Sequence, residues 1–110
     1  MANVLLGEDN SYKIYNFGNV TTHRVSTREE SASMENEIKR HTTEGYRAPE
    51  QLFLHSGYSI NEKVDVFCCG VILFVLSFHR RPFDTEISTL NTTLATPDFP
   101  KYSGNLIKLL

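Results

Sequence analysis

Two short apolar runs open the chain, NVLL (residues 3–6) and YKIY (12–15), separated by the turn-forming cluster GEDNS. Strands bounded by Gly, Asp, Asn and Ser predict a β-hairpin, closed at its far end by Asn16-Phe17-Gly18. Beyond Gly18 the apolar pattern lapses. Between Thr21 and Ser33 six of thirteen residues are Ser or Thr, and without a sustained period this stretch reads as a loop. MENEIKRH (34–41) adds a helical turn. YRAPEQLFLHSG (46–57) predicts a short helix with Pro49 near its start and Gly57 past its end.

The strongest signal is SINEKVDVFCCGVILFVLSFH (59–79), with Ser59 or Asn61 as N-cap and Pro82 as terminator. Apolar residues fall on every face of this helix, so it is expected to be surrounded by protein. Its uncharged core, VFCCGVILFVLSF, would span about 20 Å against a hydrocarbon core of about 30 Å. Lys63 and Asp65 close one end and His79-Arg80-Arg81 the other, which argues against a transmembrane segment. FDTEISTLNTTL (83–94) predicts another helix, TPDFP a loop, and SGNLIKLL (103–110) an amphipathic helix. The fold class expected is mainly α with a short β-hairpin.

Composition adds exclusions. One hundred and ten residues with 40% hydrophobic and 22% charged content describe one soluble globular unit at most. A net charge of −2 gives no footprint for nucleic acid or an anionic membrane. The basic clusters IKRH and FHRRPF read as solvated or locally paired faces. Cys68 and Cys69 are adjacent, so a helix cannot bridge them without strain, and no CxxC spacing suggests zinc. The four histidines never approach metal-ligand spacing. No secretory signal is present at the N-terminus, and cytoplasmic residence follows by default.

Four features carry candidate chemistry: Asn3, Asn16, the YRAPE segment and Asp65. The hairpin brings Asn3 and Asn16 to one end of two paired strands, where each offers a carbonyl oxygen to a hard cation. Taken singly, Asn is common at strand ends for its turn geometry, and Asp65 is an ordinary first-turn acid.

In combination and in this order, the features resemble the C-terminal lobe of a eukaryotic protein kinase, a partial α+β kinase fold without its N-lobe. NVLL resembles the end of the catalytic loop (1–6), with Asn3 at the position that binds the second magnesium. NFG stands where kinases carry Asp-Phe-Gly, with Phe17 and Gly18 as the frame of the metal loop. Ala48-Pro49-Glu50 matches the end of the activation segment (16–50), and DVFCCG, with Asp65 and Gly70, resembles D-x-W-x-x-G. ENEIKRHTTEGYRAPE further resembles the Numb-associated kinase family of Ser/Thr kinases, which implies an extra helix at Gln51 to Ser56 (region 51–58). The central helix would then be 62–79, and 84–110 would hold the C-terminal helices, interrupted by the chain end.

The resemblance implies ATP and Mg2+ as cofactors of the intact domain. It implies a protein substrate or scaffold partner, clathrin adaptors among them, and an N-lobe if the chain is part of a longer one. Thr43 would contact the catalytic aspartate and favour Ser/Thr substrates, or else be an ordinary loop threonine. Asp65 would be buried, accepting hydrogen bonds from the catalytic-loop backbone. Glu50 would pair with an arginine beyond Leu110 and stand unpaired here. The Ser/Thr-rich run would be a regulatory phosphorylation segment or, on composition, a solvated loop.

Several parts of a phosphotransferase are missing from these residues. The six glycines never form G-x-G-x-x-G, and His-Arg-Asp would lie upstream of Met1, which suggests a truncated gene model or one exon of a longer protein. Asn16 removes a negative charge from a site that normally depends on a carboxylate. The chain alone is therefore expected to be inactive. Two functional classes follow, a lobe of a Ser/Thr kinase and a pseudokinase or interaction module.

Overall fold

In the computed structural model, residues 3–26, 28–91 and 93–110 are described. Met1 and Ala2, the first residues of the expected catalytic-loop end, lie outside them, as does Thr92 within the expected helix 83–94.

Strands β1 (Val4–Leu6) and β2 (Tyr12–Ile14) pair antiparallel, with Val4 opposite Ile14 and Leu6 opposite Tyr12. The Gly7 carbonyl accepts the Asn10 N–H at 3.0 Å, and Asn10 takes a left-handed φ of 59°, a conformation its short polar side chain tolerates. Asp9 receives both the backbone N–H and the hydroxyl of Ser11. All six strand residues are exposed, so the hairpin stands outside the helical core.

The stretch expected to be a loop contains a helix, α1 (Arg28–Ser33), followed at once by α2 (Glu35–His41). Local chemistry supports α1: Glu29 and Glu30 favour its first turn, and the Glu30 carboxylate accepts the Ser26 N–H at 3.3 Å. Tertiary packing completes the argument. Val25 and Ile60 exchange both backbone hydrogen bonds at 3.0 and 2.8 Å. Val25, Ile38, Leu54 and Ile60 form a buried cluster against which Met34 and Val64 pack.

Helix α3 (Pro49–Leu52) has Pro at its first position, and the Gln51 side chain accepts the Ala48 N–H at 3.0 Å. The single helix expected to run to Ser56 breaks at Phe53, and a 3₁₀ turn carries Leu54–Ser56 to Gly57 at φ 80°. That break turns Leu54 into the core while Phe53 stays exposed.

Helix α4 (Lys63–Phe78) is the longest element. Glu62 rather than Ser59 or Asn61 is its N-cap, Asn61 accepting the Lys63 N–H at 3.0 Å from one position earlier, and His79 ends it in a left-handed conformation. Val71, Phe74, Ser77 and Phe78 are buried, but Val66 and Leu76 are 69% and 52% exposed. The expectation of burial on every face is thus corrected: within the described residues, neighbours cover one side. No helix there is long and apolar enough to cross a membrane.

Thr85 and Ser88 cap α5 (Glu86–Asn91) reciprocally, each side-chain oxygen accepting the other's N–H. Ser103 caps α6 (Gly104–Leu109). The preceding segment docks through Tyr102, whose ring meets Phe78 edge-on at 5.5 Å and whose hydroxyl donates to the Ser77 carbonyl at 2.7 Å.

Candidate functional site

The hairpin's open end carries the first part of the site. The Tyr15 N–H donates to the Asn3 carbonyl at 3.0 Å, extending the ladder by one step. Asn16 follows in the left-handed region, φ 69° and ψ 63°, and Phe17–Asn19 form a 3₁₀ turn. Asn and Asp are the side chains that best accept this backbone. This backbone therefore accommodates either an asparagine or an aspartate at position 16. The Asn16 amide donates to Asn3 Oδ1 at 3.3 Å, a long and exposed bond.

That contact tests the fit of a magnesium ion. Mg2+ demands a near-octahedral oxygen shell anchored by one or two carboxylates. Here both oxygens come from neutral amides, and Asn3 Oδ1 already accepts the Asn16 amide hydrogen. No group of three His, Cys, Asp or Glu among the described residues could hold a metal. The residues present do not fit the ion, and no step of chemistry follows through it.

The second part is the loop between α2 and α3. Thr43 is exposed, and its carbonyl accepts the Tyr46 N–H at 3.2 Å. Arg47, which carries no signal of its own in the sequence, is the anchor. Its Nε donates to Thr42 Oγ1 at 2.8 Å, its Nη2 to the Thr42 carbonyl at 3.2 Å, and its Nη1 to Glu86 at 2.6 Å. The Arg47 side chain is 11% exposed and that of Glu86 37%. A planar guanidinium fork suits this task, since its donors fan out in one fixed plane. Behind the loop, the Cys68 thiol donates to the Tyr46 carbonyl at 3.1 Å. Burial, with Asp65 and Cys69 nearby, pushes that thiol's pKa up. Both cysteines are free.

His41, at the C-terminus of α2, bonds Asn19 across 2.9 Å and so joins the two parts. Neither this contact nor Arg47–Glu86 carries a sequence signal, because the partners lie 22 and 39 residues apart.

The remaining candidates divide. Ala48 is fully buried, Pro49 starts α3, and Glu50 makes no hydrogen bond or ion pair with a described residue. Asp65 is exposed, and no donor among the described residues reaches its carboxylate. A Cβ at Gly70 would meet nothing within 4 Å, so packing within the described residues does not require glycine there.

Comparison with known proteins adds independent evidence. The family model described as "Protein kinase domain" matches residues 1–105. A protein kinase domain-containing protein of Schizosaccharomyces pombe is 36% identical over 98% of this chain and 17% of its own length. A probable serine/threonine-protein kinase of Dictyostelium discoideum is 41% identical, covering 98% and 14%. An actin-regulating kinase of Saccharomyces cerevisiae is 34% identical, again covering 98% and 14%. The chain spans about a sixth or less of the length of these relatives.

Proposed function

The chain belongs to the protein kinase domain family, and on that premise we propose that it is the C-lobe segment of a Ser/Thr kinase of Numb-associated type. Its relatives include Ser/Thr kinases, and Glu35 to Glu50 carry the subfamily pattern. In the intact domain, ATP and Mg2+ would supply the phosphoryl group and its charge neutralisation. The loop Thr43–Tyr46, held by Arg47 and Cys68, would dock a protein Ser/Thr substrate. Clathrin-adaptor chains or an endocytic scaffold in the cytoplasm are the partners this subfamily reading proposes.

These 110 residues by themselves would not transfer phosphate. The observation that carries this is the Asn3–Asn16 amide pair, two neutral groups where the chemistry needs a carboxylate. The same pair favours a second reading, a pseudokinase module that binds partners without catalysis. Incubation with MgATP and a Ser/Thr peptide should give no turnover, and Mg2+ should leave the Phe17 and Gly18 amide resonances unmoved. Asn16→Asp should make those resonances respond to Mg2+. Magnesium-dependent turnover of the native chain, lost in Asn3→Ala, would overturn the inactive reading. The coding sequence upstream of Met1 separates the two classes: an in-frame H-R-D-x-K and a lysine-bearing strand favour the enzyme, their absence the module.

A further inference from the structure

Arg81, in the turn after α4, lies over the backbone of Gly45. A Cβ at Gly45 would fall 2.5 Å from Arg81 Nη1 and 3.3 Å from its Cδ. Gly45 has φ 82°, a backbone that favours glycine, and the flexible tip of Arg81 rests against it. The loop beneath is held from behind by Arg47 and Cys68, which makes Thr43–Tyr46 and Arg81 one surface.

Arg24, Lys13, Lys39 and Arg47 each have a carboxylate within 4 Å. Arg81, like Arg40, Lys63, Arg80, Lys101 and Lys108, has none among the described residues; it is exposed and is set apart by its place over Gly45. Glu44 and Asp84, the nearest acids in sequence, are also exposed and not bonded to it. His79 and Arg80 are exposed beside it. A guanidinium presents a donor fork that matches a carboxylate bidentately, and here the fork stands unused at the rim of the loop.

We propose that Arg81 is a specificity-determining residue that receives an acidic side chain of a Ser/Thr peptide lying along Thr43–Tyr46. The proposal rests on reading that loop as the substrate-docking segment. The carboxylate would sit on the free edge of the guanidinium, with Arg80 adding long-range attraction that salt screens.

The test is fluorescence polarisation on the full chain at low salt. The probes are labelled threonine peptides identical except for Asp and Glu against Asn and Gln flanking the threonine. The acidic peptide should bind about two- to fivefold more tightly. Arg81→Ala should abolish the preference, Arg81→Glu should reverse it towards a lysine peptide, and Arg81→Lys, which keeps charge and fold, should retain part of it. Arg24→Ala, remote and already paired, should leave it intact. Equal binding of acidic and amide peptides, or a preference that survives Arg81→Ala, would overturn the proposal. A photo-crosslinker at the peptide threonine separates the premise from the inference. Labelling within residues 43–46 supports both, whereas labelling elsewhere with an Arg81-dependent preference would remove the substrate reading and leave an acid-binding site.

Discussion

In the hairpin every strand residue from Val4 to Leu6 and from Tyr12 to Ile14 faces solvent. In the helical body Val25 and Phe74 are each 1% exposed. The hairpin is held by its ladder, by the Asp9–Ser11 turn and by one long amide contact. The body is held by packing, supplemented by Arg47, whose charge is almost fully desolvated. Exposed hydrogen bonds exchange with water at little cost, whereas buried apolar surface cannot. Asn3 and Asn16 thus sit on the weakly held part. The loop Thr43–Tyr46, proposed to dock a peptide, sits on the firmly held part. A two-stranded hairpin is marginal alone, so the difference predicts that the two regions respond separately to damage.

The largest expected effect comes from the core. Phe74 meets Phe78 at a ring separation of 4.7 Å, and Phe74→Ala should cost about 3–5 kcal/mol in urea unfolding. Ile14→Ala in the hairpin, at a residue 71% exposed, should cost under about 0.5 kcal/mol. Comparable losses from the two substitutions would contradict the separation, since they would require the hairpin to be packed.

The second effect, on the peptide loop, should be intermediate. Arg47→Ala removes the donors to Thr42 and Glu86 and should cost about 1–3 kcal/mol. Glu86→Gln should cost less, under about 1 kcal/mol, because the amide still accepts one hydrogen bond and Glu86 is partly solvated. Hydrogen exchange should speed at the Tyr46 amide and stay unchanged at Tyr15. Faster exchange at Tyr15 would mean that the regions are coupled, with His41–Asn19 the route.

How much of this was legible in the sequence depends on range. The hairpin, α4 and α6 were, because strand alternation, an uninterrupted apolar run and a Ser cap act over a few residues. Helix α1 was not. Its Ser-rich composition carries no period, and it is settled by the Val25–Ile60 bridge and by Met34 on the core. Asp65 is exposed here, and its expected burial was read from a motif whose covering backbone lies outside the described residues. Asn3 and Asn16 were legible as strand-end neighbours, but their mutual bond depends on side-chain placement that spacing cannot give. Arg81 over Gly45 joins residues 36 positions apart, and only the turn after α4 puts them together.

The smallest effects are ionic, and they run in opposite directions in the two regions. The Ser11 hydroxyl and backbone N–H hold Asp9 below its ordinary pKa of 3.8, although the carboxylate is fully exposed. Folding therefore favours the ionised form, and whatever this turn contributes is present above about pH 4 and lost as pH falls through the lowered pKa. On α4, burial holds the Cys68 thiol above its ordinary value of 9.0. The folded state keeps that proton when the unfolded chain would release it, so stability is intact below pH 9 and declines as pH rises past it. Ser11→Ala should move the Asp9 carboxyl titration, read by NMR, back towards 3.8. Cys68→Ser should flatten the alkaline decline while leaving the acid limb unchanged. If either substitution altered the other limb, the hairpin and the helical body would be one cooperative unit. Separate limbs would instead mean that a metal-binding loop can be rebuilt at Asn16 without disturbing the surface that Arg81 and Arg47 define.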